Sequence, residues 1–277
     1  MGLRINTNIQ SLSAQRFLAI NAERQRSALD HLSSGTRINK AGDDAAGLAI
    51  SEKLKSDIRS LRQAGRNAND GVSLIQVAEG GMNEISNILI RLRELSIQAS
   101  SDTIGDLERS FLDKEVQQLK SEVTRISTAT EYVGTKLLNG TAPLLEFQIG
   151  THNNPVVDRF IFESQQLETT AEALGIHDIN AKSKLSAQEN LNSIDSAIEH
   201  VSGNRATLGA LQNRMQSAIA NINIYRENLE AANSRIRDTD MADETSELVK
   251  NNILTQTTVA ILGQANQNAQ IALKLIQ

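Results

Sequence analysis

The chain of 277 residues has no cysteine and no tryptophan, only two prolines, and only five phenylalanines and two tyrosines. Without cysteine there is no disulfide, no thiol nucleophile and no thiolate metal site. The four histidines, His31, His152, His177 and His200, are scattered without an H-x-x-x-H pair, which argues against structural zinc. A net charge of −5 gives little attraction to nucleic acid or to an anionic membrane. There is no run of 18 apolar residues, so no segment is expected to span a bilayer. Residues 1–9 lack the apolar core of a signal peptide, and Asn6 stands where an acylation motif needs Ser or Thr. If the protein leaves the cell, no classical cleaved signal takes it out. P-loop, GxGxxG, GxSxG, HExxH and EF-hand patterns are all missing. The expectation is therefore no catalytic residue, no metal and no cofactor.

What is present is helical periodicity. Pro143 and Pro155 lie close together in the middle, which leaves long flanking stretches free of the residue that costs a helix about 3 kcal/mol. Leu191, Ile194, Ile198, Val201, Leu208, Met215, Ile219, Ile222, Leu229 and Ile236 recur at steps of three and four or their sums. Arg205, Gln212, Arg226 and Asn233 stand at the skipped seam positions. This is a heptad seam sustained for about six heptads. Ser186 and Glu189 just ahead of it have the spacing of a capping box. A helix of that extent is roughly 75 Å long, against a radius of gyration of about 19 Å for a compact domain of this size, so a rod is expected. Leu54, Ile58, Leu61, Ala68, Val72 and Ile75 form one N-terminal stripe. Ile85, Ile88, Leu92, Leu95 and Ala99 continue it after a register shift at Gly80-Gly81, and Leu112, Val116, Leu119, Val123 and Ile126 form another. Between the last two, Thr103 and Asp106 are candidate caps in a turn.

The middle changes character. Leu145, Phe147 and Ile149 alternate with polar residues, and Phe160 and Phe162 flank Ile161, a pattern that predicts a β-hairpin at about 144–163 packed on one end of the bundle. The surrounding 30 or so residues show no clear period. The predicted fold is mainly α, an elongated antiparallel helical bundle or coiled coil with a small β-hairpin and paired terminal helices.

The ends are the most unusual part. From Asn251 to Gln277 there is one charge, Lys274, whereas a solvated helix normally carries a charged face. Gln264, Asn266, Gln267, Asn268 and Gln270 make the same stretch too polar for lipid. Burial against other protein fits both facts, with the amides paired between chains or facing a narrow wet lumen. Residues 5–32, with Leu18, Ala22, Leu29 and Leu32 on one stripe, are the expected partner. Neither end would be stable alone. The expected assembly contacts are Ile5, Leu12, Leu18, Leu29 and Leu32 from one end. From the other they are Ile253, Leu254, Val259, Leu262, Leu273, Leu275 and Ile276.

Asp43-Asp44 is the one eye-catching carboxylate pair of the N-terminal half, and capping of a helix start explains it better than catalysis. Asp238, Asp240, Asp243 and Glu244 admit the same reading at the last helix. Gly80-Gly81 marks either a close helix approach or a break.

Two stretches carry a family resemblance. Residues 32–51, Leu-Ser-Ser-Gly-Thr-Arg-Ile-Asn-Lys-Ala-Gly-Asp-Asp-Ala-Ala-Gly-Leu-Ala-Ile-Ser, resemble the N-terminal signature of bacterial flagellin. Residues 232–245, Ala-Asn-Ser-Arg-Ile-Arg-Asp-Thr-Asp-Met-Ala-Asp-Glu-Thr, resemble its C-terminal signature, and residues 5–9 and 264–267 also fit. The resemblance covers all but about residues 140–185. It implies a secreted subunit, exported unfolded through the flagellar type III channel with a chaperone and polymerised beneath a cap protein into a helical filament for swimming. The flagellum could be extracellular, sheathed or periplasmic. It further implies an inner coiled-coil domain of residues 1–42 and 238–277 and an outer bundle of residues 43–237, without the large outer domains of many relatives. Leu89–Leu95 resembles a segment bound by the flagellin-sensing Toll-like receptor, which singles out Arg91, Leu95 and, on the neighbouring helix, Glu115. A hook–filament junction protein is the alternative, since it shares the helical termini but matches residues 33–51 less fully. A type III translocator would need a membrane-active apolar stretch, and nothing supports an enzyme.

Overall fold

The computed structural model describes residues 7–274, the side chains from 269 onward excepted. Among these, five helices dominate: α1 (Ile9–Ser34), α2 (Ala45–Ala99), α3 (Asp106–Ala129), α4 (Lys184–Arg237) and α5 (Met241–Lys274). Two antiparallel hairpins join them, β1 (Glu131–Tyr132) with β2 (Thr135–Lys136) and β3 (Leu145–Gln148) with β4 (Arg159–Phe162). The chain divides into two compact units, residues 1–58 with 228–277 and residues 59–227.

In the second unit α2 runs antiparallel to both α3 and α4. Arg91 meets Glu115 and Arg109 meets the Ala99 carbonyl, while Arg93 meets Asp195 and Glu79 meets Arg205. As numbers rise on α2 they fall on each partner. The core holds the predicted stripes, including Ile75, Ile85, Leu92 and Leu95 from α2, Val116 and Val123 from α3, and Ile194, Val201, Leu208 and Met215 from α4, and adds Met82 and Leu89 of α2. Burial of large aliphatic side chains at this period drives the helices together.

Gly80-Gly81 does not break α2, which is continuous for 55 residues. A Cβ at Gly81 would lie 2.7 Å from Thr130 Oγ1 and 2.8 Å from Leu138 Cδ1. The close-approach alternative therefore holds at Gly81. Two predicted caps are corrected. The α3 N-cap is Gly105, with no side-chain cap, and Arg109 instead ties the turn by donating to the Ala99 and Ser101 carbonyls and to Asp106. Thr103 bonds Ser101 instead. Helix α4 starts at Lys184, capped by the Ser183 hydroxyl, which accepts from Ser186 N, so Ser186 lies inside the helix.

Hairpin β3–β4 pairs Leu145 with Phe162 and Phe147 with Phe160. It lies on the bundle near residues 67–71 of α2 and 214–215 of α4. Asn67 donates to the Gln148 carbonyl, and Arg214 sits over the Phe160 ring at 4.8 Å. The smaller β1–β2 hairpin is absent from the sequence reading. Its turn places Val133 and Gly134 at φ 48° and 79°, the all-positive turn that suits tight hairpins. Residues 163–183 also belong to the core, through Leu167, Leu174, Ile176 and Ile179. They are tied to α3 by Asp113, which accepts from Ala181 N, and by Gln117, which donates to the Ile179 carbonyl.

Candidate assembly surface

In the first unit α1 and α5 form an antiparallel pair. Asn8 Nδ2 donates to the Ala265 carbonyl, Ser11 Oγ to Asn266 Oδ1, Asn21 Nδ2 to Thr258 Oγ1 and Gln25 Nε2 to Asn252 Oδ1. His31 Nδ1 lies 3.3 Å from Glu244 Oε1. The buried residues recur at sevens, Ala14, Asn21 and Ala28 on α1 and Asn251, Thr258 and Ala265 on α5. This is a coiled-coil seam built from small and polar side chains. Such residues allow close approach, and the buried Asn21 amide finds its partner across the seam in the Thr258 hydroxyl.

The apolar residues point elsewhere. Ile9, Leu12, Phe17 and Ile20 are exposed on one face of α1, with Leu12 65% exposed. On α5, Val249, Ile253, Leu254, Val259 and Ile261 are exposed. Ile253 is 58% exposed, against 3% for Asn251 two residues before it. From Asn251 to Asn268 no charged side chain interrupts this surface. Single exposed aliphatics are ordinary, but an uncharged stretch of them is unusual on a solvated helix.

Of the predicted assembly residues, Leu12, Leu29, Ile253, Leu254 and Val259 are exposed, and Leu18, Leu32 and Leu262 are half-buried. Ile5, Leu275 and Ile276 lie outside the described residues, as does the side chain of Leu273. The predicted stripe on α1 needs correction at Ala22 and Leu29, which are exposed, while Ser11, Ala14, Asn21 and Ala28 form the seam. The amide expectation is also corrected at Asn266, which pairs within the chain, with Ser11. The signal that would have found the seam is the recurrence of small residues at sevens, which a search for apolar periods passes over.

Below the pair, the segments 32–51 and 232–245 meet. Gly35 ends α1 at φ 68°. Arg37 N donates to the Arg237 carbonyl, Thr239 N to the Gly35 carbonyl, and Thr36 bridges Asp238. Arg237 reaches Glu52 at 2.6 Å, and this guanidinium holds the Glu52 carboxyl below its ordinary range. The aspartates divide the capping work. Asp44 caps α2 through Gly47 N and Asp240 caps α5 through Ala242 N. Asp43 instead accepts from Lys40 N and Asn39 N, and those two amides lower its pKa.

In the second unit Arg91 donates to Glu115 through Nε and Nη2, at 3.0 and 2.9 Å, and to Glu94 through Nη1. All three side chains are solvent-accessible. Leu95 is buried in the core beneath them. Among the described residues no cluster of His, Cys, Asp or Glu could hold a metal ion, and no helix is long and apolar enough to cross a membrane.

Comparison with known proteins bears on this surface directly. Residues 5–142 match the family profile described as the bacterial flagellin N-terminal helical region, and residues 191–276 match the bacterial flagellin C-terminal helical region. The chain is 43% identical over 273 residues to a flagellin of Halalkalibacterium halodurans, covering 99% of each chain. It is 42% identical to the flagellar filament 30.7 kDa core protein of Treponema maltophilum, covering 98% of this chain and 99% of that one. Among solved structures, the crystal structure of Bacillus cereus flagellin superposes with a TM-score of 0.51 at 29% identity, covering 57% of this chain and 88% of that chain.

Proposed function

The chain belongs to the bacterial flagellin family and is a structural subunit of the flagellar filament, not an enzyme, and we infer that its paired terminal helices are the element through which subunits join. The observation that carries this reading is the inverted polarity of the α1–α5 pair. The seam is small and polar, and the aliphatic side chains face outward, on α5 in a stretch from Asn251 to Asn268 that carries no charge. A coil built this way leaves its main hydrophobic gain to contacts with further copies. In this reading residues 1–42 and 238–277 form the inner part of the filament and residues 43–237 the outer part. Identity to filament subunits along the whole chain favours this over a hook–filament junction role.

Removal of residues 240–277 should abolish polymerisation while the helical signal of the remaining bundle persists, because the core of the second unit is built without α5. Sedimentation and circular dichroism check this, and filaments formed by the truncated chain would refute it. Ile253→Ser with Val259→Ser should weaken polymerisation with helicity unchanged.

Family membership supports three further readings. The subunit is secreted unfolded through the flagellar type III channel to an extracellular flagellum. An export chaperone and a cap protein attend that path, to which the absence of cysteine is suited. The flagellin-sensing Toll-like receptor recognises the exposed Arg91–Glu115 pair. Reporter cells exposed to monomer test the last of these. Arg91→Ala of verified fold should reduce the signal, and a silent wild-type monomer would overturn it.

A further inference from the structure

Outside the assembly surface, the turn after β2 holds an arrangement that helix packing does not explain. It is the dipeptide Asn139-Gly140, half-buried at the edge of the second unit. The Asn139 side-chain carbonyl Oδ1 accepts two hydrogen bonds, from Thr141 N at 3.1 Å and from Thr141 Oγ1 at 2.8 Å. Gly140 is left-handed at φ 71°, and the position a Cβ would take lies 2.7 Å from Glu168 Oε2. The other oxygen of Glu168 accepts from the Thr170 hydroxyl, so the carboxylate is held beside the Gly140 backbone. The chain on the N-terminal side is also fixed, since Leu138 is buried and its carbonyl accepts from Thr169 N.

These groups are placed to act on the Asn139 amide. A hydrogen bond from the second following amide, reinforced by a hydroxyl, polarises the side-chain carbonyl and stabilises the negative charge its oxygen would gain on attack. Glycine leaves the neighbouring backbone nitrogen unshielded by any side chain. A carboxylate held beside the Gly140 backbone can receive the nitrogen's proton, directly or through one water. We propose that Asn139 is a self-modification site, at which the folded chain converts this asparagine to aspartate and isoaspartate through a cyclic imide closed by the Gly140 nitrogen.

The step balances with water as the only co-reactant. The Gly140 nitrogen bonds to Asn139 Cγ and yields its proton to the Glu168 carboxylate. The Cγ–Nδ2 bond breaks, and Nδ2 takes a proton and leaves as ammonia. Water then opens the imide at either carbonyl, giving aspartate, or isoaspartate with the side-chain carbon now in the backbone. The second product lengthens the main chain next to Leu138, whose side chain packs over Gly81.

The test is to incubate the full folded chain at neutral pH and body temperature, beside the same chain held in denaturant. Peptide mass spectrometry follows the amide-to-acid mass gain, and enzymatic isoaspartyl methylation counts the isomer. Expected in the folded chain is conversion of Asn139 ahead of every other asparagine, at a rate no lower than in the unfolded chain. Thr141→Val, checked for fold by circular dichroism, should slow the folded rate several-fold while leaving the unfolded rate unchanged. Glu168→Gln should slow it as well, and Asn139→Gln should remove the signal. An amide retained in the folded chain but lost in the unfolded one would overturn the proposal, as would a folded rate indifferent to both Thr141→Val and Glu168→Gln.

Discussion

Val133 shows what a single residue can cost this fold. Its φ of 48° puts a β-branched side chain in the left-handed region, at the tip of the β1–β2 turn, where it is 89% exposed and gains nothing from packing. Branching at Cβ makes that conformation unfavourable, and such strain costs on the order of 1–3 kcal/mol. Asparagine tolerates the same backbone and is favoured before glycine in this turn type. Val133→Asn should therefore raise the stability of the monomer by about 1 kcal/mol, measured as a higher denaturation midpoint with an unchanged slope. An unchanged or lower midpoint would mean that the turn relaxes without strain. Arg109 is the opposite case. Its buried guanidinium holds two α2-end carbonyls and Asp106, and hydrogen bonds to a charged group contribute about 1.5–3 kcal/mol.

The elements differ in what holds them, and the same difference decided what could be read from sequence. Helices α2 and α4 were legible because Ile85, Leu92, Ile194, Val201 and Leu208 recur at helical period and all are buried. The β3–β4 hairpin was legible because Phe160 and Phe162 alternate around an exposed Ile161. The α1–α5 seam was misplaced because its buried side chains are Ser11, Asn21, Asn251 and Thr258, so the hydrophobic pattern points to the outer faces. Residues 163–183 were illegible for another reason. Their backbone is tied to Asp113 and Gln117 of α3, and pairing with distant side chains leaves no local period. A physical consequence follows for the termini. A seam of alanine, serine and amides buries little apolar area, whereas α2 carries the largest fully buried aliphatics. In monomeric protein, backbone amides of α1 and α5 should exchange with solvent much faster than those of residues 82–95, and polymerisation should slow them selectively. Hydrogen-exchange mass spectrometry on both forms reads this, and equal protection of termini and bundle in the monomer would contradict it.

For the whole molecule, pH tests how far ionic contacts and apolar contacts share the work. Several carboxylates are held below their ordinary range. Arg93 acts on Asp195, Lys184 on Asp102 and Arg125 on Glu122, while Arg237 acts on Glu52 and the Lys40 and Asn39 amides act on Asp43. A group with a depressed folded-state pKa adds stability above its unfolded value and loses it as pH falls through the folded value. All of these contacts reach solvent, so each contributes little alone. Two of them, Asp43 and Glu52, stand where residues 32–51 meet residues 232–245, and that junction sets the path of the chain between α1 and α2 and between α4 and α5. Protonation there loosens the base of the paired helices in every subunit at once, and the cations left unpaired repel one another along a polymer. Filaments should therefore release monomers as pH falls from about 4 to about 2, and Glu52→Gln should move the midpoint to higher pH because the loss is already made at neutrality. Light scattering during an acid titration follows the release. Filaments of both proteins that stay intact to the acid end would show that burial of Leu12, Ile253 and their neighbours between subunits outweighs the ionic junction altogether.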